Sequence, residues 1–232
     1  GEPVARLELR HPAGFFDGAL PRRIRYRLRA ANAGGAWVVD DPYAYGPVLG
    51  PLDDWLIGEG AHVELYDRLG AHAMEHEGTA GVHFAVWAPN ADRVSVVGDF
   101  NQWDGRSHVC EPVASSGIWT TFIQGLGYGE KYKYEVRARS GAIVLKADPY
   151  ARRFEVPPRS ATIAWDTSDY QWGDGEWLAA RAAGGNHLDR PVSVYEVHLG
   201  SWRRGLGNEP LSYRDLAEQL DAHRKRQRRN TA

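Results

Sequence analysis

Alternating apolar and polar residues run through several short stretches of the chain. Over residues 131–137, tyrosine and valine alternate with lysine, glutamate and arginine. This period of two residues is typical of a β-strand that is buried on one face only. The same alternation occurs over residues 6–10 and 23–29, where arginines form the polar side. The pattern therefore predicts a mainly β protein in which these charged rows face solvent.

Short strands with turn residues between them predict a β-sandwich over residues 76–165. Alternation marks residues 82–87, and apolar strands follow over residues 94–97 and 117–123. Clusters of proline, asparagine, aspartate and glycine separate these strands. Strands of this length and spacing are typical of sandwich domains.

The rest of the chain divides around this sandwich. Residues 1–50 are predicted to be part of a smaller β domain. A linker over residues 51–75 is predicted to contain a short helix, at residues 62–69, which Gly70 ends. A second linker is predicted over residues 166–190.

The pattern of apolar and polar residues changes over residues 191–220. Residues 192–199 are apolar with little alternation, as in a strand that is buried on both faces. Ser212 and Asp215 then form a capping-box-like pattern that opens a helix. One strand followed by one helix is a single βα unit.

A tryptophan at the tip of a turn is the main candidate for chemistry. The stretch Val96-Val-Gly-Asp-Phe-Asn-Gln-Trp-Asp104 ends a β-branched run with a tight polar turn. An indole placed there suits flat stacking on a sugar ring, with its N–H free as a donor. Asn101 could donate and accept hydrogen bonds to sugar hydroxyls. The alternative is that Trp103 folds back onto its own sheet.

The amino-acid composition narrows the classes of partner that the protein could bind. The 232 residues carry 28 basic and 30 acidic side chains, a formal charge of −2, which argues against nucleic acid or an anionic membrane as partner. No apolar run approaches the ~20 residues of a membrane span. The single cysteine, Cys110, fits a reducing compartment, so we expect a cytoplasmic protein. No histidine or cysteine cluster has metal-ligand spacing and no phosphate-binding loop precedes a helix, so no cofactor is expected.

Eight stretches of the sequence carry a family resemblance. They are His11-Pro-Ala-Gly-Phe-Phe-Asp-Gly18, Asp41-Pro-Tyr-Ala-Tyr-Gly-Pro-Val-Leu49, Gly58-Glu-Gly-Ala-His62, Leu69-Gly-Ala-His72, Phe84-Ala-Val-Trp-Ala-Pro-Asn90, the Trp103 stretch, Lys146-Ala-Asp-Pro-Tyr150 and Tyr195-Glu-Val-His-Leu-Gly-Ser-Trp202. Together they resemble the glycogen (1,4-alpha-glucan) branching enzymes of the alpha-amylase superfamily, glycoside hydrolase family 13.

The resemblance implies a fold and a function. It implies two Ig-like β-sandwich domains in tandem, the second a family 48 glycogen- and starch-binding module, followed by the first βα unit of a truncated (β/α)8 barrel. The family transfers α-1,4-glucan segments to 6-hydroxyls and so makes α-1,6 branches. The chain is thus expected to be the N-terminal part of such an enzyme, with α-glucan as its partner and a catalytic barrel as a further docking partner.

The resemblance also assigns binding residues. In related modules the tryptophan that matches Trp103 stacks on glucose, and a lysine that matches Lys133 contacts sugar hydroxyls. With Asn101, these form the predicted glucan-binding site. Related modules often carry a second stacking tryptophan in the region that matches residues 140–145, where this chain has no aromatic residue. A structural spacer that docks on a barrel is therefore the alternative.

No catalytic residue is assigned. Retaining transfer needs two carboxyl groups about 5 Å apart, which the family carries on later strands of a barrel of about 250 residues. The chain is therefore predicted to be inactive alone. Asp99 and Asp104 are discounted as a catalytic pair, because carboxylates in turns usually bond local backbone N–H groups. Tyr195 and His198 match family residues on the first barrel strand and are expected to pack or to face solvent.

The last twelve residues depart from the family. Residues 221–232 are strongly basic where the resemblance calls for an apolar strand, so this segment resembles a frameshifted or misassembled tail. A basic nucleic-acid arm is the alternative. It ranks lower, because no aromatic residues interleave with the charges.

Overall fold

The computed structural model forms two compact units, residues 1–171 and 172–232, which are treated separately below. The structure describes residues 3–20, 22, 24–39, 41, 44–184 and 194–230.

Two separate hairpins begin the first unit. They are formed by β1 (Glu8–His11) with β2 (Phe15–Asp17), and by β3 (Leu28–Asn32) with β4 (Gly35–Val39). The strand predicted over residues 23–29 therefore starts only at Leu28, and Arg23 lies outside the described residues. Each hairpin is its own two-stranded sheet, so an Ig-like sandwich over residues 1–50 stays a prediction.

A two-sheet β-sandwich makes up most of the first unit. Its strands are β5 (Gly70–His76), β6 (Thr79–Trp87), β7 (Ala91–Gly98), β8 (Glu111–Val113), β9 (Ile118–Gln124), β10 (Lys131–Ala138), β11 (Ile143–Lys146), β12 (Arg153–Phe154) and β13 (Thr162–Ile163). One antiparallel sheet has the order β5-β6-β9-β8. In the other, β10 pairs with β7 along one edge and with β11 and β13 along the opposite edge, and β12 follows β13. The mainly β fold predicted from alternation is confirmed.

The core lies between the two sheets. Its buried side chains come from both, and they include Val82, Phe84, Val94, Val96, Ile123, Tyr132 and Tyr134. The alternation in β10 sends its tyrosines into this core and leaves its lysines on the outer face.

A covering segment, which we define as residues 44–69, packs on the outer face of the β5-β6-β9-β8 sheet. Leu49 and Leu69 from this segment form a second buried cluster with Ala85 and Ile118 of the sheet. The Tyr45 ring meets Phe122 edge-on, with 4.9 Å between ring centroids. This sheet is therefore buried on both faces.

The helix predicted over residues 62–69 is wrong. The helix of the covering segment is α1 (Pro51–Gly58), and residues 65–67 form only one 3-10 turn. Pro51 has the backbone angle a first helical residue needs. Asp53 of α1 accepts hydrogen bonds from the Gly50 N–H at 3.1 Å and from Arg68 Nε at 2.8 Å. The second bond ties the end of the covering segment back onto α1.

A buried carboxylate fixes the inner face of β10. Asp148 Oδ2 accepts hydrogen bonds from the hydroxyls of Tyr132 at 2.6 Å and Tyr134 at 3.2 Å, and Oδ1 accepts the Tyr150 N–H at 2.7 Å. Burial raises the pKa of this carboxyl above its usual range, although the tyrosine hydroxyls partly offset the shift. Because a buried polar group without partners is costly, this network specifies where β10 lies.

In the described part of the second unit, the regular elements are helices, and Arg204 and Pro210 form one isolated β-bridge. The helices are α2 (Gly175–Gly184), α3 (Leu199–Trp202) and α4 (Tyr213–Asn230). The Ser212 hydroxyl accepts the Asp215 N–H at 3.3 Å, which confirms the capping pattern predicted at the start of α4. None of the helices in the described ranges is long and apolar enough to span a membrane.

The strand predicted over residues 192–199 is wrong in its described part. Residues 194–198 have no regular secondary structure, and Leu199 begins α3; residues 192 and 193 lie outside the described part. A strand needs hydrogen-bonded neighbours, and the described residues of this unit supply none. Tyr195 instead stacks on His223, and its hydroxyl accepts the Trp202 Nε1–H at 2.8 Å. The truncated barrel stays a prediction.

Candidate functional site

The turn after β7 is held in an unusual backbone conformation. A 3-10 turn over Asp99–Asn101 leads to Gln102 and Trp103, whose φ angles are 56° and 62°. Left-handed backbone costs a non-glycine residue about 1–2 kcal/mol. Such strain persists only where the surroundings impose it, and it favours a functional role for the turn.

Asn101 supplies part of that constraint. Its Oδ1 accepts the Gly98 N–H at 2.9 Å, and its Nδ2 donates to the Val96 carbonyl at 2.9 Å. Nδ2 also lies 3.0 Å from His108 Nδ1. The Trp103 N–H closes the turn by donating to the Gly98 carbonyl at 2.9 Å. The amide of Asn101 is therefore occupied inside the turn, and we assign it a positioning role.

Gly98 lets the turn sit directly against β10. Its Cα faces that of Tyr132 in the antiparallel register, and its backbone is extended. A Cβ at this position would clash with the Lys131 carbonyl oxygen. The close approach of the two strands therefore requires glycine here.

The Trp103 ring is presented at the surface and fixed by a neighbour. The residue is 37% exposed, and its Nε1–H donates to Asp99 Oδ1 at 2.9 Å. The expectation of a free indole N–H is therefore wrong, because an acidic side chain four residues earlier takes the proton donor. This hydrogen bond restrains the ring, so less orientational entropy is lost when a flat ligand stacks on it.

Two lysines of β10 lie on the outer face beside this turn. Lys131 Nζ lies 4.0 Å from Asp99 Oδ2 and 3.4 Å from Glu155 Oε1. Lys133 pairs in register with Val97, one residue before the turn, and its Nζ donates to Ser160 Oγ at 2.8 Å. Indole, ammonium groups and hydroxyl thus share one partly exposed polar face, which we call the turn face.

Comparison with known proteins shows which families the chain is similar to. Residues 68–151 match the family model of carbohydrate-binding module 48, the isoamylase N-terminal domain. The 1,4-alpha-glucan branching enzyme of Roseobacter denitrificans is 47% identical over 229 residues, which cover 96% of this chain and 31% of that protein. That of Rubrobacter xylanophilus is 49% identical over 223 residues, 95% of this chain and 30% of that protein.

Over nearly its whole length, the chain is thus similar to 1,4-alpha-glucan branching enzymes. It spans about 30% of the length of these curated relatives. The resemblance read from the sequence motifs is thereby confirmed, including its carbohydrate-binding module. Among solved structures, ligand-free PulA from Klebsiella pneumoniae matches 42% of this chain and 9% of its own length, with 25% identity and a TM-score of 0.35.

Within the module, the acidic residues of the turn are held by local partners. Asp104 pairs with Arg106, whose guanidinium lies 2.6 Å from Oδ2, and this contact lowers the pKa of Asp104 to about 2. A general acid needs a raised pKa, so Asp104 is unsuited to that role. Asp99 is engaged by Trp103. In the described part of the chain, no group of three or more histidine, cysteine or acidic residues could hold a metal ion.

Two features of the module were missed from the sequence. The Asp99–Trp103 hydrogen bond has a spacing of four residues across the turn, a signal that becomes informative only once the left-handed backbone is known. The Asp148 network joins residues that are 14 and 16 positions apart, a separation that no local sequence pattern reveals.

Proposed function

We propose that the module binds α-glucan on the turn face, with Trp103 stacking on a glucose ring and Lys133 contacting sugar hydroxyls. The observation that carries the proposal is the restrained, partly exposed indole beside a β10 lysine. The matching family is a carbohydrate-binding module, and the relatives are named for 1,4-alpha-glucan branching. Branching itself is proposed only for a protein that carries the remaining length of those relatives.

The chemistry of the turn face suits a polyhydroxylated ligand. A sugar ring offers a flat array of C–H groups that packs on an indole, and this contact contributes on the order of 1 kcal/mol beyond the area buried. The Lys133 ammonium can donate to further oxygens besides Ser160 Oγ, because it has three N–H donors. The absence of a net charge on glucan removes any need for a strongly charged site.

Asn101 has a different role in this proposal. Its amide groups hold the left-handed turn, so it acts on glucan through Trp103 and makes no direct sugar contact. Loss of Asn101 is therefore expected to weaken binding and to loosen the turn together.

Affinity electrophoresis in gels that contain glycogen tests the proposal. The native chain should be retarded, and Trp103→Ala should lose most of the retardation, while the control Trp87→Ala, at the exposed end of β6, should match the native chain. Trp103 is 37% exposed, so its replacement should leave the fold intact. An unretarded native chain would contradict the proposal, and so would equal retardation of Trp103→Ala and the native chain.

A structural spacer that docks on a catalytic barrel is the second candidate. The edge strand β11 favours it, because Ile143, Val144 and Leu145 are all exposed. Exposed apolar edges often mark a surface that another domain covers. If glycogen retards the native chain and this retardation depends on Trp103, glucan binding is favoured over the spacer role.

A further inference from the structure

We infer that Tyr128 is a second stacking platform for the same glucan, so that the site runs from Trp103 past Lys131 to the loop of residues 125–130. The inference rests on the proposed function of the turn face.

Tyr128 lies in open surroundings at the tip of its loop. The residue is 42% exposed, and among the described residues its hydroxyl has no hydrogen-bond partner. Positions 127 and 129 on either side are glycines, and a Cβ at either one would meet no atom within 4 Å. The backbone on both sides of Tyr128 is therefore uncrowded, and the residue itself is partly exposed.

The loop that carries Tyr128 is nevertheless anchored. The Gly129 N–H donates to the Ala164 carbonyl at 2.7 Å, and the Ala164 N–H donates to the Glu130 carbonyl at 2.9 Å. Leu126 packs against the sandwich core. An exposed ring on a loop fastened on both sides is a binding platform that costs little ordering entropy.

The two aromatic residues leave the sandwich at the same end. Gly98, which begins the Trp103 turn, faces Tyr132, and Tyr128 lies only four residues before Tyr132. Four residues span at most about 14 Å, and paired strands are about 5 Å apart. The Trp103 N–H donates to the Gly98 carbonyl at 2.9 Å, so the Trp103 backbone lies beside this pair of residues. The backbones of Trp103 and Tyr128 are therefore near enough for the proposed oligosaccharide to reach both.

Polar groups lie between these two platforms. Lys131, three residues after Tyr128, reaches toward Asp99, which in turn holds the Trp103 indole. An ammonium and a carboxylate at this place supply donors and acceptors for the hydroxyls of a sugar that bridges the two rings. A tyrosine platform adds its own hydroxyl as a hydrogen-bonding group at the edge of the ring.

Chain-length dependence of binding tests the inference with the full 232-residue chain. Dissociation constants for maltotriose and maltoheptaose are measured for the native chain, Trp103→Ala, Tyr128→Ala and Tyr128→Phe. The control is Tyr66→Ala, an exposed tyrosine of the covering segment.

We expect Tyr128→Ala to weaken maltoheptaose binding about fivefold and to leave maltotriose binding unchanged. Trp103→Ala should weaken both, while Tyr128→Phe should stay within about twofold of the native chain, because it keeps the stacking surface.

Three outcomes would overturn the inference. If Tyr128→Ala behaves like Tyr66→Ala while Trp103→Ala loses affinity, the second platform is wrong and the proposed function stands. Equal losses for both sugars in Tyr128→Ala would contradict the extended arrangement. If the native chain binds neither sugar, the proposed function fails, and the inference fails with it.

Discussion

The two outer faces of the sandwich differ in whether the chain covers them. On the β5-β6-β9-β8 sheet, the outer face is covered by residues 44–69 and buries Ala85, Ile118, Phe122 and His83. On the β7–β10 sheet, the outer face stays partly open and carries the turn face. Whether a sheet face is buried or stays open to a ligand thus depends on what its own chain lays over it.

The sequences of the central strands reflect this difference. In β6, residues 81–86 are all buried, and their outward positions hold glycine, histidine and alanine. In β10, the outward positions hold lysine, glutamate and arginine. Small or neutral residues allow a covering segment to pack closely, whereas charged residues keep a face in contact with water.

The largest expected effect is on the covered face. Phe122 is 5% exposed and packs against Tyr45 and His76. Phe122→Ala should therefore lower the free energy of unfolding by about 4 kcal/mol, measured by urea denaturation. The matched control is Phe154→Ala on β12, where the ring is half exposed, which should change stability by no more than about 0.5 kcal/mol. Similar losses in the two variants would mean that burial beneath the covering segment is not what makes Phe122 stabilising.

A pH dependence should also come from the covered face. His83 is 3% exposed, and burial is the main reason why its pKa is lowered to about 3, with smaller contributions from His72, His76 and Arg68. An unfolded histidine titrates near 6.5, so below that pH the unfolded state binds a proton that the folded state does not. Stability is therefore full above pH 6.5 and is lost as the pH falls toward about 3.

The comparison with His83→Gln isolates this contribution. The native chain should lose up to about 1.4 kcal/mol per pH unit more than the variant across that window, measured by urea denaturation at several pH values. Parallel curves for the two proteins would mean that His83 is not a buried neutral group.

The smallest expected effect is on the open face. Asp99→Ala removes the acceptor of the Trp103 indole N–H, so the ring loses its restraint, and glycogen affinity should fall about threefold. Asp99→Asn keeps an acceptor oxygen and should retain most of the affinity. Thermal stability should hardly change in either variant, because Asp99 is exposed. If Asn fails to rescue, the negative charge of Asp99 matters more than its hydrogen bond.

The alternation of apolar and polar residues predicted the sandwich well, because a strand with one buried face shows this alternation in its own sequence. The alternation in β10 is visible in residues 131–137 alone, and it correctly separated core tyrosines from outer lysines. The helix predicted at residues 62–69 was wrong, and both ends of that stretch, through His62 and Arg68, bond to Asp53, which lies outside it in sequence. The strand at residues 192–199 failed because strand formation depends on neighbours. Trp103 was found as the candidate platform, but the hydrogen bond of its N–H depends on a turn geometry that residue types do not reveal.

The indole N–H signals of the nine tryptophans give the most direct test of the turn face. In ¹⁵N-edited NMR spectra of the chain titrated with maltoheptaose, the signal that disappears in Trp103→Phe should show the largest, saturable shift. The Trp87 signal should stay unmoved. A saturable shift confined to another indole, with the Trp103 signal unchanged, would contradict the claim that this ring is where glucan binds.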